Sequence, residues 1–198
     1  MKNRSSIVKE CKEFHEINFD KPSCLFKLSD SLVYLLGGAG YYNRYINSIP
    51  LTGSENIFDF GSGGGNASKL LAERIPEGHL TCLEPSKCWI KRLRKRLRKF
   101  KNVTFINTYI EDSALPENSF DIILIHHVLH DIHPVKRAGI VKQLSKILKP
   151  GGKIYIREPI RLSHGMPVEE IRQLFKDVDR NEVDFSIKTN KEYSGIYS

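Results

Sequence analysis

A short apolar run that ends in an acid and then breaks into glycines constrains the fold of this chain more than any other feature. The run covers residues 56–60, and the glycines lie within residues 61–65. Such a run is typical of a buried parallel strand. Glycines at its end allow backbone conformations closed to other residues and let a ligand approach the main chain. A helix predicted from Asn66 would point its N–H groups at the same place, so the sequence predicts a nucleotide cradle.

The spacing of the glycines narrows the kind of nucleotide loop. Gly61, Gly63 and Asn66 stand at the first, third and sixth positions of the dinucleotide fingerprint G-x-G-x-x-G/A, and Asn66 departs from it. A P-loop is excluded because no Gly-Lys-Ser/Thr follows. A second apolar run ends in Glu84, where a carboxylate typically binds ribose hydroxyls. The alternative for Glu84 is an acid at a helix N-terminus, and the upstream glycine loop favours the ribose role.

Apolar runs and helical patterns alternate from residue 54 onward, which predicts a parallel sheet with helices on both faces. The predicted strands lie near residues 56–60, 80–84, 103–106, 120–125 and 152–157, and the predicted helices near 66–75, 86–99, 135–148 and 167–180. Residues 183–187 and 193–197, joined by a turn at 189–191, are predicted to form a closing antiparallel hairpin.

Taken together, these motifs resemble the class I S-adenosylmethionine-dependent methyltransferases. The resemblance covers about residues 54–198. Besides the glycine loop, Glu84 and the hairpin, it rests on residues 115–121, 122–132 and 148–156. It implies a Rossmann-like α/β fold, doubly wound, with a mostly parallel seven-stranded sheet and an antiparallel C-terminal hairpin. Residues 1–53 lie outside it and are predicted to form an N-terminal helical lid over the cofactor mouth.

The resemblance implies S-adenosyl-L-methionine as the cofactor, held at the carboxyl ends of the strands. One of Glu111 and Asp112 would accept a hydrogen bond from the adenine amino group, and the spacing fits either. Asp59 would either bind through water or steady the glycine loop. The predicted cofactor-binding residues are Asp59, Gly61, Gly63, Gly65, Glu84, Glu111, Asp112 and Ile125.

Four of the seven histidines fall within one eight-residue segment. His126 and His127 directly follow the fourth predicted strand and are the candidate catalytic bases, because the pKa of imidazole lies near neutrality. One alternative is a structural or substrate-shaping role. Another is a metal cluster of His126, His130 and His133, spaced i, i+4 and i+7. Pro134 limits a helix there and the HExxH pattern is absent, so no metal ligand is predicted.

Other polar and aromatic residues would face the acceptor. The segment Gly37-Gly38-Ala39-Gly40 is either the hinge of a lid that excludes water from the methyl group or an ordinary turn between helices. Arg157 and Glu158 end the fifth core strand and would bind a carboxylate or phosphate, or pair with each other. The predicted substrate-binding residues are Tyr41, Tyr42, His130 and Arg157.

The net charge of +8 is concentrated in residues 91–101, where eight of eleven residues are basic. Leu93, Leu97 and Phe100 recur at i, i+4 and i+7, which predicts a helix with an apolar stripe toward the core and its charges toward solvent. The plain interpretation is a solvated surface. The alternative is an anionic partner such as RNA, an acidic membrane surface or a phosphorylated substrate.

Composition bounds the class and the compartment. A chain of 198 residues suits one domain. The four cysteines, Cys11, Cys24, Cys82 and Cys88, form no C-x-x-C pair, and we expect them to pack as ordinary small side chains. No apolar run reaches 18 residues, and no apolar signal core follows the basic N-terminus, so a cytoplasmic protein is expected.

The sequence therefore predicts an S-adenosylmethionine-dependent methyltransferase acting on a small-molecule substrate. One alternative is an RNA or protein methyltransferase that docks through the basic helix at 91–101. The other is a catalytically silent protein that binds S-adenosylmethionine as a partner or sensor.

Overall fold

The computed structural model describes residues 39–161 and 164–198. Gly37 and Gly38, the first two glycines of the predicted hinge, lie outside these residues. In chain order the elements are α1 (Ala39–Ser48), β1 (Asn56–Phe60), α2 (Asn66–Arg74), β2 (His79–Leu83), α3 (Lys87–Leu97), β3 (Val103–Ile106), β4 (Phe120–His126), α4 (Pro134–Ile147), β5 (Leu148–Arg161), β6 (His164–Gly165), α5 (Val168–Lys176), β7 (Glu182–Lys188) and β8 (Glu192–Tyr197). Short 3₁₀ turns occupy Ile110–Asp112 and Leu129–Asp131.

Seven strands form the main sheet, in the order β3-β2-β1-β4-β5-β8-β7. Neighbouring strands from β3 to β5 run parallel, whereas β8 is antiparallel to both β5 and β7. The two-residue strand β6 pairs with β5 outside this path. The predicted Rossmann-like sheet with an antiparallel C-terminal hairpin is confirmed.

Both faces of the central strand β4 are covered, which explains the unbroken apolar run at residues 122–125. Ile123 and Ile125 of β4 belong to the core cluster that contains α4 and α5. Ile122 and Leu124, between them, belong to the opposite cluster, which contains α1, α2 and α3. Successive side chains of a strand point to opposite faces, so one apolar run serves two cores.

Helix α1 is attached to the core at its C-terminal end. Ile46 and Ile49 are almost fully buried in the cluster with α2. The side chain of Arg74 donates hydrogen bonds to the backbone carbonyl groups of both residues. The helix begins at Ala39, so the last glycine of the predicted hinge, Gly40, lies inside the helix.

Three predicted boundaries are wrong. Strand β5 runs from Leu148 to Arg161 instead of from 152 to 157. Gly152 lies within this strand close to β4, since a Cβ there would lie 2.9 Å from the carbonyl oxygen of Asp121. Helix α5 ends at Lys176 instead of residue 180. The hairpin turn is confirmed, since Thr189 and Asn190 both have positive φ, the conformation of a tight two-residue turn.

Within residues 39–161 and 164–198, no helix combines the length and the apolar character needed to cross a lipid bilayer. Cys82 is buried in β2 and Cys88 is partly exposed, and both are free thiols. Cys11 and Cys24 lie outside the described residues.

Candidate active site

Three glycines of the loop after β1 have positive φ, of 71° at Gly61, 52° at Gly63 and 80° at Gly65. A Cβ at Gly61 would lie 2.7 Å from both methyl groups of Val128, and one at Gly65 would lie 2.6 Å from Leu93. These two positions therefore need glycine for packing. A Cβ at Gly63 would meet no atom within 4 Å, so Gly63 presents bare backbone to open space, as contact with a ligand requires.

The carboxylate of Glu84 joins the end of β2 to the glycine loop. One oxygen accepts the backbone N–H of Gly63 at 2.8 Å, and the other accepts the backbone N–H of Ser86 at 2.9 Å. Ser86 is the N-cap residue of α3, so Glu84 does act as an acid at a helix start. The acid is nearly buried beside the exposed backbone of Gly63, and the ribose role stays a prediction.

Asp59 lies beneath the same loop and is almost fully buried. Its side chain accepts a hydrogen bond of 2.5 Å from the hydroxyl of Ser68 in α2, and its backbone carbonyl accepts one from Ser62. Burial raises the pKa of Asp59 to about 6, although these serines partly oppose the shift. The contacts favour the interpretation that Asp59 steadies the glycine loop.

The predicted adenine side is more open. Glu111 and Asp112 lie on the 3₁₀ turn that follows β3, and both side chains are exposed. Ile125, by contrast, is fully buried in the core of α4 and α5. Only the backbone of Ile125 is therefore available to a cofactor.

The candidate bases lie next to the glycine loop. Phe60 and Ile125 pair in the sheet, so the residues that follow them, Gly61 and His126, are neighbours at the carboxyl edge. The ring of His126 stacks on that of His127 with centroids 4.7 Å apart. Burial, with help from the nearby His127 and Arg157, lowers the pKa of His126 well below 6.5, so its imidazole is neutral.

The tyrosines of α1 cover these histidines. The ring centroid of His126 lies 5.1 Å from that of Tyr42 and 5.4 Å from that of Tyr45. Tyr41 reaches His127, with its hydroxyl 3.0 Å from Nε2. The predicted lid residues and the predicted bases thus meet in one place.

Glu192, the first residue of β8, connects three of the predicted site residues. Its carboxylate accepts a hydrogen bond of 2.6 Å from Nη2 of Arg157 and another from the hydroxyl of Tyr41, and it lies 3.4 Å from Nε2 of His127. Burial alone would raise the pKa of Glu192, but the hydrogen bonds from His127, Arg157 and Tyr41 outweigh burial and lower the pKa to about 2.

The sequence analysis missed Glu192. Only its position in the sequence could have pointed to the site. Glu192 begins a strand antiparallel to β5, and the first residue of such a strand lies at the edge of the sheet where β5 ends. Arg157, which is 2% exposed, also carries the Tyr41 ring over its guanidinium at 3.7 Å.

The alternative in which Arg157 pairs with Glu158 is wrong. Arg157 pairs with Glu192, whereas the fully buried Glu158 accepts the backbone N–H groups of Val128 and Leu129 and contacts Nδ1 of His130 at 2.6 Å. Adjacent strand residues point to opposite faces, so the two charges of β5 serve different sides of the sheet.

His130 is held inside the loop that follows β4. Burial lowers its pKa, but the hydrogen bond and the charge of Glu158 raise it, and the net shift is upward. Its backbone carbonyl accepts a hydrogen bond from Arg137 of α4. These contacts show that His130 helps to fix the loop. Its predicted role in substrate binding stays a prediction.

The metal alternative required His126, His130 and His133 to share one helix face. Instead, His126 ends β4, His130 lies in a 3₁₀ turn and His133 is the N-cap residue of α4. The described part of the chain contains no group of three His, Cys, Asp or Glu residues placed to hold a metal ion.

The predicted basic helix is α3 and the residues that follow it. Leu93 and Leu97 are fully buried, as predicted, and they are the side chains packed beneath Gly65. Arg96 donates a hydrogen bond to the side chain of Asn66, at the start of α2. Arg92 is partly buried against the ring of Trp89. The other six cations, Lys91, Arg94, Lys95, Arg98, Lys99 and Lys101, are exposed.

Comparison with known proteins agrees with this geometry. Residues 58–156, half of the chain, match a family model described as a methyltransferase domain. The chain belongs to this family. The chain is 34% identical over 107 residues to trans-aconitate 2-methyltransferase of Acidovorax sp. (strain JS42), a match covering 54% of the chain and 39% of that protein. It is 28% identical over 141 residues to carboxy-S-adenosyl-L-methionine synthase of Aeromonas hydrophila, covering 66% and 55%.

The matched region thus spans about two fifths to just over half of these relatives.

Solved structures share the fold of this chain. An S-adenosylmethionine-dependent methyltransferase of Leishmania major has a TM-score of 0.69 and 18% identity, covering 91% of this chain and 79% of that one. One from Aquifex aeolicus has a TM-score of 0.68 and 17% identity, covering 86% and 94%. Family and fold imply S-adenosylmethionine as the cofactor, and the open backbone of Gly63 fits it.

Proposed function

We propose that this methyltransferase transfers the methyl group of S-adenosylmethionine to a small-molecule acceptor held between α1 and the carboxyl ends of β4 and β5. The proposal is carried by the adjacency of the glycine loop and His126, which the pairing of Phe60 with Ile125 fixes. One side of this edge fits a nucleotide, and the other side offers a neutral imidazole beneath an aromatic cover.

The chain's own contribution is binding, orientation and exclusion of water. When bound, S-adenosylmethionine supplies a methyl group activated by its sulfonium centre. The backbone of Gly63 and the carboxylate of Glu84 would hold the ribose, and Glu111 or Asp112 the adenine. Holding the acceptor in line with the activated carbon supplies the entropic part of the rate enhancement.

His126 and His127 differ in what they can do with a proton. His127 already contacts Tyr41 and Glu192 through Nε2. Nε2 of His126 has no hydrogen-bond partner among the described residues, and its imidazole is neutral. We therefore assign His126 as the base for an acceptor that must lose a proton, with His127 orienting Tyr41.

The size of the acceptor is inferred from what covers the site. Residues 1–53 are proposed to form a lid, of which α1 is the described part. Tyr41, Tyr42 and Tyr45 place three rings over the histidines, which suits a small molecule better than a polymer. The exposed cations of α3 lie on the side of that helix opposite its buried contacts with Gly65, which argues against polymer docking at the acceptor side.

The test is incubation of the protein with methyl-labelled S-adenosylmethionine and separated metabolite, RNA and protein fractions of a cell extract. We expect label in the metabolite fraction, and none with a Gly63→Val variant. Label in RNA or protein would contradict the small-molecule proposal. Calorimetric binding of the cofactor without transfer to any fraction would instead support a non-catalytic binding protein.

A further inference from the structure

Four buried polar atoms that have no hydrogen-bond partner among the described residues lie close together beneath α1. They are the hydroxyl oxygen of Tyr45, Nε2 of His126, and Nε and Nη1 of Arg157. In the rest of the described chain only one further atom of this kind occurs, on Gln143. Native proteins leave few buried polar atoms unpaired, and each one needs an explanation. Four in one place point to a group that binds there.

The side chains of His126, Arg157 and Tyr45 are neighbours, because the first two lie on adjacent strands and α1 packs over them. His126 of β4 and Arg157 of β5 stand opposite each other in the strand register. The ring of Tyr45 lies 5.4 Å from the ring of His126 and 4.8 Å from the guanidinium carbon of Arg157. A single small group can therefore reach all of them.

The chemistry of these atoms selects the group. Nε and Nη1 of Arg157 can only donate hydrogen bonds, and burial raises the pKa of Tyr45, so its hydroxyl keeps a proton to donate. As the proposed base, neutral His126 presents Nε2 as a hydrogen-bond acceptor. The Tyr41 ring covers the face of the guanidinium, but the N–H groups point outward in its plane and are not satisfied by it.

We infer that Arg157 and Tyr45 form a subsite for a carboxylate group of the acceptor beside His126, an inference that rests on the proposed methyl transfer. A carboxylate has two oxygens and about four lone pairs, which matches the three converging N–H and O–H donors of these two residues, while Nε2 of His126 can accept a proton. Its hydrogen bonds to a guanidinium are charge-assisted and strong. An ammonium or an alkyl group would leave the donors unpaired. Glu192 occupies only Nη2, so it holds Arg157 in place without filling the subsite.

The requirement for a carboxylate is tested on the metabolite fraction of the extract. Treatment with a water-soluble carbodiimide and methylamine converts carboxylates to amides, and methylamine alone is the control. We expect label incorporation to fall at least tenfold after amidation and to survive treatment with phosphatase. Incorporation that survives amidation, or that phosphatase abolishes, would overturn the carboxylate subsite. If the untreated fraction accepts no label, the proposed function itself fails.

The residues are tested with Tyr45→Phe, which removes one unpaired hydroxyl and keeps the ring. We expect the apparent KM for the metabolite fraction to rise about three- to tenfold, the worth of one hydrogen bond, with kcat and cofactor affinity unchanged. Arg157→Gln should raise KM further. Tyr155→Phe, on the same face of β5 two residues earlier, is the matched control and should behave as the wild type.

Thermal unfolding gives a readout independent of activity. Because the Tyr45 hydroxyl is buried without a partner, the Tyr45→Phe protein should be at least as stable as the wild type in the absence of acceptor. A lower Tm for this variant would mean that the hydroxyl is already paired, and an unchanged KM would mean that no acceptor group reaches it. Either result would overturn the subsite.

Discussion

The carboxylate of Glu84 accepts the backbone N–H of Gly63 at 2.8 Å, so the end of β2 holds the loop that follows β1. Replacing Glu84 therefore removes a ribose partner and also loosens the loop. We expect Glu84→Ala to weaken binding of S-adenosylmethionine by about 1.5–3 kcal/mol, the scale of a hydrogen bond to a charged group. Calorimetry measures the loss. In the wild type, a 2′,3′-dideoxy analogue of the cofactor should bind more weakly than the cofactor, whereas in Glu84→Ala the two should bind almost equally. If removal of the hydroxyl groups costs the same affinity in both proteins, Glu84 does not contact the ribose.

Gly63→Val should abolish cofactor binding. The position has a φ of 52°, which disfavours a branched side chain, and the new side chain would point into the open space that the ligand needs. Gly139→Val is the matched control, because Gly139 lies in α4 and a Cβ there also meets no atom within 4 Å. Circular dichroism should show both variants folded. A folded Gly63→Val protein with wild-type affinity would remove this loop from the cofactor site.

Asp59 should make stability depend on pH. Its pKa is about 6 in the folded protein against 3.8 for an ordinary aspartate, so unfolding releases a proton between these values and stability falls as pH rises from about 4 to 6. Asp59→Asn mimics the protonated form. It should add about 2–3 kcal/mol to the free energy of unfolding at pH 7 and almost nothing below pH 4. Urea unfolding at both pH values gives the difference, and a gain independent of pH would contradict the shift.

His126→Ala should reduce kcat by about 10²–10⁴-fold if the acceptor loses a proton to this residue. Cofactor affinity should barely change. Because burial lowers the pKa of His126 well below 6.5, the base is already deprotonated at neutral pH. The wild-type rate should therefore be flat through neutrality and fall only in acid. If kcat falls only a few-fold in both His126→Ala and His127→Ala, neither histidine acts as a base, and catalysis depends on proximity and orientation of the substrates alone.

Removing the exposed charge of α3 should leave turnover of a small acceptor unchanged. The variant replaces Arg94, Lys95, Arg98 and Lys99 with Gln and spares Arg96, which holds Asn66. The contacts of α3 with Gly65 come from Leu93 and Leu97, which the variant keeps. If activity toward RNA exists and falls in the variant, with a weaker dependence on salt, the docking alternative gains support.

The cofactor side was predictable because its signals are local. The glycines, Asp59 and Glu84 occur within two strand ends, and the strand-to-helix pattern around them fixes their edge of the sheet. The acceptor side was only half predictable. His126, His127 and Arg157 are also strand ends, but the role of each depends on which strand lies beside it. Glu192 belongs to the hairpin, 35 residues from Arg157, and no local motif marks it.

One alternative from the sequence failed on a rule that the sequence already contained. Side chains alternate between the two faces of a strand, so Arg157 and Glu158 were never placed to pair. The same rule places the Ile125 side chain under α4 and α5, on the face opposite His126, so its predicted contact with the cofactor is left to the backbone. The contact of the Tyr45 ring with Arg157 and the neutral state of His126 could not be predicted, since both follow from how α1 packs on the sheet.

The contact between Tyr41 and Glu192 joins residues 151 positions apart in the chain. Such a contact can form only once Glu192 of β8 has joined the sheet beside Arg157. The placement of the α1 tyrosines over the histidines therefore depends on the C-terminal hairpin as much as on α1 itself.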